Sequence, residues 1–517
     1  MKKEEIKAQI LKLRDEAVKG FDFVKDDFLY LESGYLALMD EKKKRTLKAR
    51  HKSHVAQKII FAKVRRITKE ILKTYFANPS LADIEVRGDA QLSAILQNEL
   101  NTLSRARLNL YSRIHESIIA MLVYGTSIAK VYWADNEVKV VPKRLSEVLI
   151  DPHAKNHFDA KYYVDRFYMT IADIKRNFAK ELKDEKIDLD TIGGENTSKS
   201  PSGLQSSDLG EYRRIAVQEI YRKIGDDWFI STCINDRFLR LDLPLHDGCP
   251  FFFAVAYPQF CRIEERGAVR SYGASYIEPM IDLQRQFIAV RNQQMDAVYL
   301  QLNPRYFADR SSGLRDDDLA SLSPKVVVSN LAAIKEIPAP NINGSVFDTQ
   351  SLDAEIQEVG GMPKMVQGIS ASSDPRNATG MSLLAQSGNA TIDGIVTSYN
   401  ESFFEPFISR IVSLIYRHKI TEALSGYDRD KKIELRVSIN AGVGVMSRDT
   451  KINNIGAAKQ SLLTMIKMLS EMGAKEKVRE YVRVLEGLVR DELREMGQKN
   501  VDELFPGEID FAETQSA

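Results

Sequence analysis

Apolar and polar positions first repeat at helical spacing. Ile60, Val64, Ile67, Ile71 and Tyr75 fall on one stripe, while Lys58, Arg65, Lys69 and Lys73 share another side of the same helix. Residues 1 to about 125 read as helices throughout. Near residue 125 the period changes to that of strands. Ser127–Trp133 and Val138–Val141 flank Ala134-Asp135-Asn136-Glu137, a hairpin signal, and Asp151-Pro152 reads as a turn. A short charged helix is predicted over 171–189. The stretch Thr191–Gly210 follows, with thirteen of its 20 residues Gly, Ser, Thr, Asn or Pro, the composition of a flexible loop. Strands are predicted from Arg213 to about Arg240, with turns at Gly225-Asp226-Asp227 and Asn235-Asp236, and Cys249–Tyr257 reads as a buried strand.

From Ala274 the pattern is helical again until Asn303-Pro304 stops it near Leu302. A helix of about 27 residues is roughly 40 Å long. Strands are expected at Arg305–Ala308, Val326–Ser329 and Ala333–Ile337, with a small helix near Asp316–Leu322. A helix over Thr349–Val359 breaks at Gly360-Gly361-Met362-Pro363, and the polar loop 368–380 follows. Met381–His418 is one long helix in which Gly394 and Pro406 predict a kink. A strand is expected over Ile433–Ile439. Residues 450–498 read as a helical hairpin, with stripes such as Leu462, Ile466, Leu469 and Val482, Leu485, Val489; the last dozen residues should fray. No internal repeat is visible. The fold class is α+β, mainly helical.

Seen down its axis, the 274–302 helix has two sides. Ile277, Met280, Ile281, Leu283, Phe287, Ile288, Met295 and Val298 cover an apolar arc too wide for one packing seam. Such an arc suits a helix touching neighbours on both flanks. Glu278, Asp282, Arg285, Gln286, Gln293 and Asp296 lie opposite, three acids and one base. The plain reading of that stripe is a solvent face. If it lined a DNA tunnel, its mild repulsion would favour sliding over gripping. Arg291, inside the apolar arc, is expected to pair with an acid on a neighbouring helix.

Charge sharpens one region. The 517-residue chain carries 73 Lys+Arg and 72 Asp+Glu, so it is not a simple nucleic-acid coat. Residues 1–75 nevertheless hold 20 Lys/Arg against 11 Asp/Glu, and eleven of the bases lie between Lys42 and Arg66. Lys42, Lys43, Lys44, Arg45, Lys58, Arg65 and Arg66 form this patch, either a solvated helix face or a surface facing phosphates.

Candidate chemistry is sparse. Walker, HExxH and GxSxG patterns are absent, and Gly442-Val-Gly444 is half of a dinucleotide fingerprint with no helix-opening third glycine. His51/His54 and His153/His157 have ligand-like spacing, but surface roles explain them as well. Cys233, Cys249 and Cys261 make no CxxC pair, which points to reduced thiols rather than a zinc site or a disulfide framework. Arg315-Asp316-Asp317-Asp318 is the one cluster that suggests metal or general-base chemistry, although acids at a helix N-terminus also complement its dipole. No cofactor or metal is expected. The sequence Met1-Lys-Lys-Glu-Glu has acids where a signal peptide would be apolar, and the most apolar run, Gly248–Cys261, is 14 residues broken by prolines. Cytosolic synthesis and no membrane partner are therefore expected.

The order of these elements, with specific motifs, resembles the portal proteins (head-to-tail connectors) of tailed bacteriophages, closest to those of short-tailed, podovirus-type phages. The motifs are Tyr124-Gly-Thr-Ser-Ile-Ala-Lys-Val-Tyr-Trp133, Ile150-Asp-Pro152, and Tyr272-Gly-Ala-Ser-Tyr-Ile-Glu-Pro-Met-Ile-Asp-Leu-Gln-Arg-Gln286 running on to Arg291-Asn292. Pro304-Arg305-Tyr306 and Asn377-Ala-Thr-Gly380 complete the set. The likeness covers about residues 1–500.

The resemblance implies a wing (1–273), a first stem helix (274–302), a clip (303–345) and a second stem helix (346–367). A tunnel loop (368–380), a long kinked helix and strand returning to the wing (381–449), crown helices (450–500) and a C-terminal tail (501–517) follow. It implies a homo-oligomeric ring, normally of twelve subunits, at one capsid vertex of the virion, assembled in the bacterial cytoplasm. Double-stranded DNA would be packaged through it by the large terminase and later ejected. Tail adaptor, major capsid and scaffolding proteins would be further partners, and the protein itself would not be an enzyme. On this likeness the stem stripe would line the channel, and Arg376 and Asn377 would touch DNA. Arg305, Arg310, Arg315, Asp316, Asp317 and Asp318 would meet terminase or adaptors. The chain departs from larger short-tailed-phage portals in lacking a long C-terminal helical barrel. Two rival readings are a metal-dependent DNA-processing enzyme built on Asp316–Asp318 and a non-viral cytosolic scaffold.

Overall fold

In the computed structural model the described residues are 3–76, 80–185, 187–189, 192, 210–257, 272–302, 305–309, 329–330, 332, 334–337, 349–361, 391–418, 420–428, 434–438, 448–471, 481–482, 484–485 and 487–490. The chain divides into two compact units, 1–439 and 440–517.

The first unit opens with helix α1 (Lys3–Tyr35), which buries Ile10, Ala17, Phe21, Val24 and Leu31 at spacings of three, four and seven along one face. Helix α2 (Glu41–Ala49) is capped by Asp40, whose carboxylate accepts from the backbone N–H groups of Lys42 and Lys43, and α2 buries none of its residues. Helix α3 (Ile59–Phe76) buries the full stripe read from the sequence, Ile60, Val64, Ile67, Ile71 and Tyr75. Strand β1 (Asp83–Val86) follows, then α4 (Ala90–Ala106) and α5 (Leu110–Tyr124). The sequence reading had only helices here. Four residues are too few to show an alternation, and the partner strand of β1 lies far away in the chain.

The sheets come next. Strands β2 (Thr126–Ala134) and β3 (Glu137–Lys143) form the expected hairpin, turning through Asp135 and Asn136, both at positive φ. Strands β4 (Val148–Ile150) and β5 (Tyr162–Thr170) were not anticipated. The first four residues of β5 are all buried, which hides the period of two that marks a half-exposed strand. Helices α6 (Ile171–Asn177) and α7 (Ala179–Asp184) replace the single helix predicted there. Strands β6 (Arg214–Ile224), β7 (Asp227–Ile234), β8 (Arg237–Leu245) and β9 (Phe251–Val255) agree with the expected strands and turns. They assemble as two antiparallel sheets, β3-β2-β9 and β4-β5-β6-β7-β8. One apolar cluster includes Ile128, Phe251 and Phe253 of the smaller sheet, Val164 and Ile220 of the larger, and Phe21 and Val24 of α1.

A charge network crosses between these sheets. The Nζ of Lys130 (β2) lies 2.7 Å from Asp165 (β5) and 2.7 Å from Glu219 (β6), and Lys143 (β3) reaches the other Asp165 oxygen at 2.7 Å. The Tyr221 hydroxyl donates to Glu219 at 2.6 Å. Asp165 is wholly buried. Burial works against the Lys130 charge, but Tyr221, Glu219 and Asp165 overcome it and hold its pKa well above the ordinary lysine value.

Helix α8 (Glu278–Leu302) leads into strand β10 (Arg305–Ala308), which pairs antiparallel with β11 (Ile334–Ile337); α9 (Thr349–Val359) packs on α8. The next helix, α10, is described over 391–418. Where a kink was expected, it contains a π-helical turn, Asn400–Phe404, before the α-helical part Glu405–His418. Pro406 has no N–H to give the carbonyl four residues back, and the N–H of Glu405 bonds instead to the carbonyl of Asn400, five back. Phe403, Phe404, Phe407, Ile408 and Ile411 bury this helix in the core. Strand β12 (Leu435–Ser438) closes the unit by pairing with β1, Ile84 opposite Val437.

The second unit contains α11 (Arg448–Glu471) and helical residues within 481–490. The predicted hairpin stripe is half-buried at Leu462, Ile466, Val482, Leu485 and Val489. The predicted flexible loop lies outside the described residues except for 192 and 210, as do the strand at 326–328, the helix near 316–322 and the polar loop 368–380.

Candidate functional site

The start of α8 is set by two glycines from the motifs noted above. Gly125, at φ +78°, and Gly273 meet backbone to backbone, and a Cβ on either would overlap the carbonyl oxygen of the other. Around this crossing the N–H of Gly273 donates to Thr126 Oγ1 (2.7 Å) and Ser275 Oγ donates to the carbonyl of Val123 (2.6 Å). The N–H of Tyr276 donates to the carbonyl of Leu122 (3.1 Å). The helix therefore leaves the end of α5 in a defined direction.

Along α8, Glu278, Asp282, Arg285, Gln286 and Gln293 are exposed, as the stripe requires. Asp282 accepts from the Tyr30 hydroxyl (3.1 Å) and pairs with Arg285 (3.3 Å), whose guanidinium lies 4.5 Å from the Tyr30 ring centre. Asp296 is half-buried and accepts the backbone N–H of Ser53 at 2.7 Å. Arg291 donates to Gln294 one turn on (2.9 Å), where an acid had been expected as its partner. The apolar arc is only partly covered within the chain. Met280 and Ile281 are buried, while Met295, Val298, Tyr299 and Leu302 are 41–75% exposed.

Two polar residues that sequence reasoning passed over hold the N-terminal segment to this helix. Gln284 accepts from the Ile60 N–H (2.9 Å) and donates to the Gly34 carbonyl (2.8 Å). Asn292 accepts from the Val55 N–H (2.9 Å) and donates to the Val55 carbonyl (3.0 Å). Both are buried and point away from the exposed stripe. Their signal was their position, since a polar amide at the edge of an apolar arc needs a hydrogen-bonding partner inside.

The basic patch separates into two parts. Lys42, Lys43, Lys44 and Arg45 are exposed on α2; Lys58 and Arg65 flank the ring of Phe61 at 5.9 and 5.4 Å, and Arg66 is exposed. Lys63, inside the same run, instead points into the protein. It donates to the carbonyls of Ile356 (2.8 Å) and Gln357 (3.5 Å) at the end of α9. Burial lowers its pKa to about 8, with Asp353 opposing the shift. A Cβ on Gly360 would strike this ammonium, and the Tyr276 hydroxyl donates to the Gly360 carbonyl at 2.5 Å.

Arg305 lies on β10 opposite Ile337. Arg310, Arg315, Asp316, Asp317, Asp318, Arg376 and Asn377 lie outside the described residues. The histidine pairs are not assembled as ligands. His153 contacts Glu16 at 2.6 Å, whereas His157 is buried beside Phe253, where burial lowers its pKa to about 4. Cys233 and Cys249 are free thiols that burial pushes up to about 12, so neither is an activated nucleophile. Among the described residues no group of three or more His, Cys, Asp or Glu is placed to hold a metal, and no helix is long and apolar enough to cross a membrane.

A search of curated proteins found no match. The family model described as phage SU10 portal protein matches residues 134–515, from the last residue of β2 through β12 and α11. That family is structural rather than enzymatic. The matched region holds β3 to β9, Gly273, α8 and the elements after it, and by this match over most of its length the chain belongs to the phage SU10 portal protein family, of podovirus type.

Proposed function

We propose that the chain forms a closed ring at one vertex of a phage capsid, through which double-stranded DNA enters and later leaves. The observation that carries this reading beyond family membership is the divided surface of α8. Its distal flank exposes Met295, Val298, Tyr299 and Leu302, which a single chain leaves in water. Copies packed side by side in a ring would cover that flank and leave Glu278, Asp282, Gln286 and Gln293 facing a common axis. In this reading residues 1–273 are the wing, α8 and α9 the stem, 303–345 the clip and 450–500 the crown. Residues 368–380, with Arg376 and Asn377, form a loop near the DNA. Arg305 and the 310–318 segment meet terminase during packaging and tail adaptors afterwards, and capsid and scaffolding proteins surround the wing.

Negative-stain electron microscopy with mass photometry tests the proposal. Twelve chains of 58.5 kDa make a particle of roughly 700 kDa. Rings with a central hole near that mass are the expected result. Particles without a hole, or chains that stay monomeric in the presence of scaffolding and capsid proteins, overturn it.

A further inference from the structure

We propose that residues 41–58 form a phosphate-backbone binding arm for double-stranded DNA, separate from the α8 stripe. The choice of DNA as the polyanion draws on the portal reading; the surface itself follows from geometry. Between Lys42 and Lys58 there are eight Lys or Arg and no Asp or Glu. All eight are exposed.

The arm is nevertheless held in place. The N–H of Ser53 is bound by Asp296, both backbone groups of Val55 by Asn292, and the N–H of Ile60 by Gln284. Its fastening to α8 therefore uses backbone, and no basic side chain of the arm takes part in it. Among the described residues, the arm's one acid contact is Lys44 with Glu41 at 3.6 Å, on the exposed first turn of α2. A nine-residue helix that buries nothing gains little by itself, so its sequence answers to something outside the chain.

The composition selects the partner. Protein interfaces are depleted in lysine at their centres, whereas phosphate contacts are made mainly by Lys and Arg. Another copy of this nearly neutral chain would need an equally dense acidic face. Duplex DNA supplies one charge per about 1.7 Å along its axis.

The test uses the full-length protein and a fluorescent random-sequence duplex of about 40 base pairs, some four helical turns. Affinity is read by anisotropy between about 50 and 200 mM salt. K42Q/K43Q/K44Q/R45Q should bind at least about tenfold more weakly at low salt, with the log–log salt slope reduced by about 2–4. A second variant, K48Q/R50Q/K52Q/K58Q, should behave alike. The control K155Q/K161Q/K175Q/K180Q removes the same charge elsewhere and should bind as wild type does. Unchanged affinity in both arm variants overturns the proposal, as does an equal loss in the control, which would make net charge the cause. Mass photometry of the same samples separates this from the ring. Arm variants that no longer assemble where wild type does overturn the DNA assignment and make the arm a contact between copies. Wild type that binds DNA through the arm and forms no rings even with scaffolding and capsid proteins present leaves the arm standing and sinks the ring.

Discussion

Replacing Asp165 by alanine removes the anion that two lysines share between the sheets. At an effective dielectric near 20, each 2.7 Å contact carries about 4–6 kcal/mol of attraction, set against a desolvation cost of several kcal/mol per ion. The intact network is thus close to neutral in stability. The variant is not, because Lys143 loses its carboxylate partner in a buried site and Lys130 keeps only Glu219. Breaking one partner of a buried pair costs about 3–5 kcal/mol. At about 2–4 °C per kcal/mol for domains of this order, melting should fall by roughly 6–20 °C. Differential scanning fluorimetry with circular dichroism reads this directly. Asp159→Ala, an exposed carboxylate 3.9 Å from Lys161, is the control and should shift stability by less than about 0.5 kcal/mol. Adding Lys143→Met to the Asp165 variant should recover part of the loss by removing the orphaned cation. A melt for Asp165→Ala within about one degree of wild type refutes the reasoning about its burial and pairing.

His157 has a folded pKa of about 4, below the unfolded value near 6.5, so the unfolded chain binds more protons between those pH values. Stability should fall by up to about 3 kcal/mol as pH drops through that window, and His157→Phe should flatten this part of a melting-versus-pH profile. Gly273→Ala puts a methyl group against the Gly125 carbonyl and 2.6 Å from Val255 Cγ1; a loss of about 1–3 kcal/mol in denaturant unfolding is expected, and a silent substitution would mean the crossing yields easily. Ala289→Pro, in the middle of α8, should break that helix by about 3 kcal/mol or more and abolish rings seen by microscopy. Arg376→Glu should leave rings intact and impair DNA packaging in an in vitro assay; normal packaging would show that this charge is unused.

Much of the architecture was legible because long-period signals survive in a single chain. The α3 stripe, the β2–β3 hairpin, α8 and α9 each announce themselves over ten residues or more. Strand β5 did not, because Tyr162, Tyr163, Val164 and Asp165 are buried on both faces and show no alternation. Lys63 was read with its solvated neighbours because charge alone does not reveal that α9 ends above it. At the candidate site, the exposed stripe was visible as a helical periodicity. The fastening by Gln284 and Asn292 was not, since each amide bonds to backbone more than two hundred residues away.

The pairing of β1 with β12 also constrains when the subunit is finished. About 350 residues separate the two strands. At a synthesis rate of about 5–20 residues per second, β1 waits roughly 20–70 s on the ribosome for its partner to emerge. Helix α10, which buries the aromatic cluster around Phe403 and Phe404, arrives almost as late. The N-terminal helices therefore cannot complete their core until α10 has been made. Loop closure over this distance becomes a late event in folding. A chain that has β1 paired has by that fact been translated through nearly its whole first unit, so this ladder distinguishes a finished first unit from a truncated one.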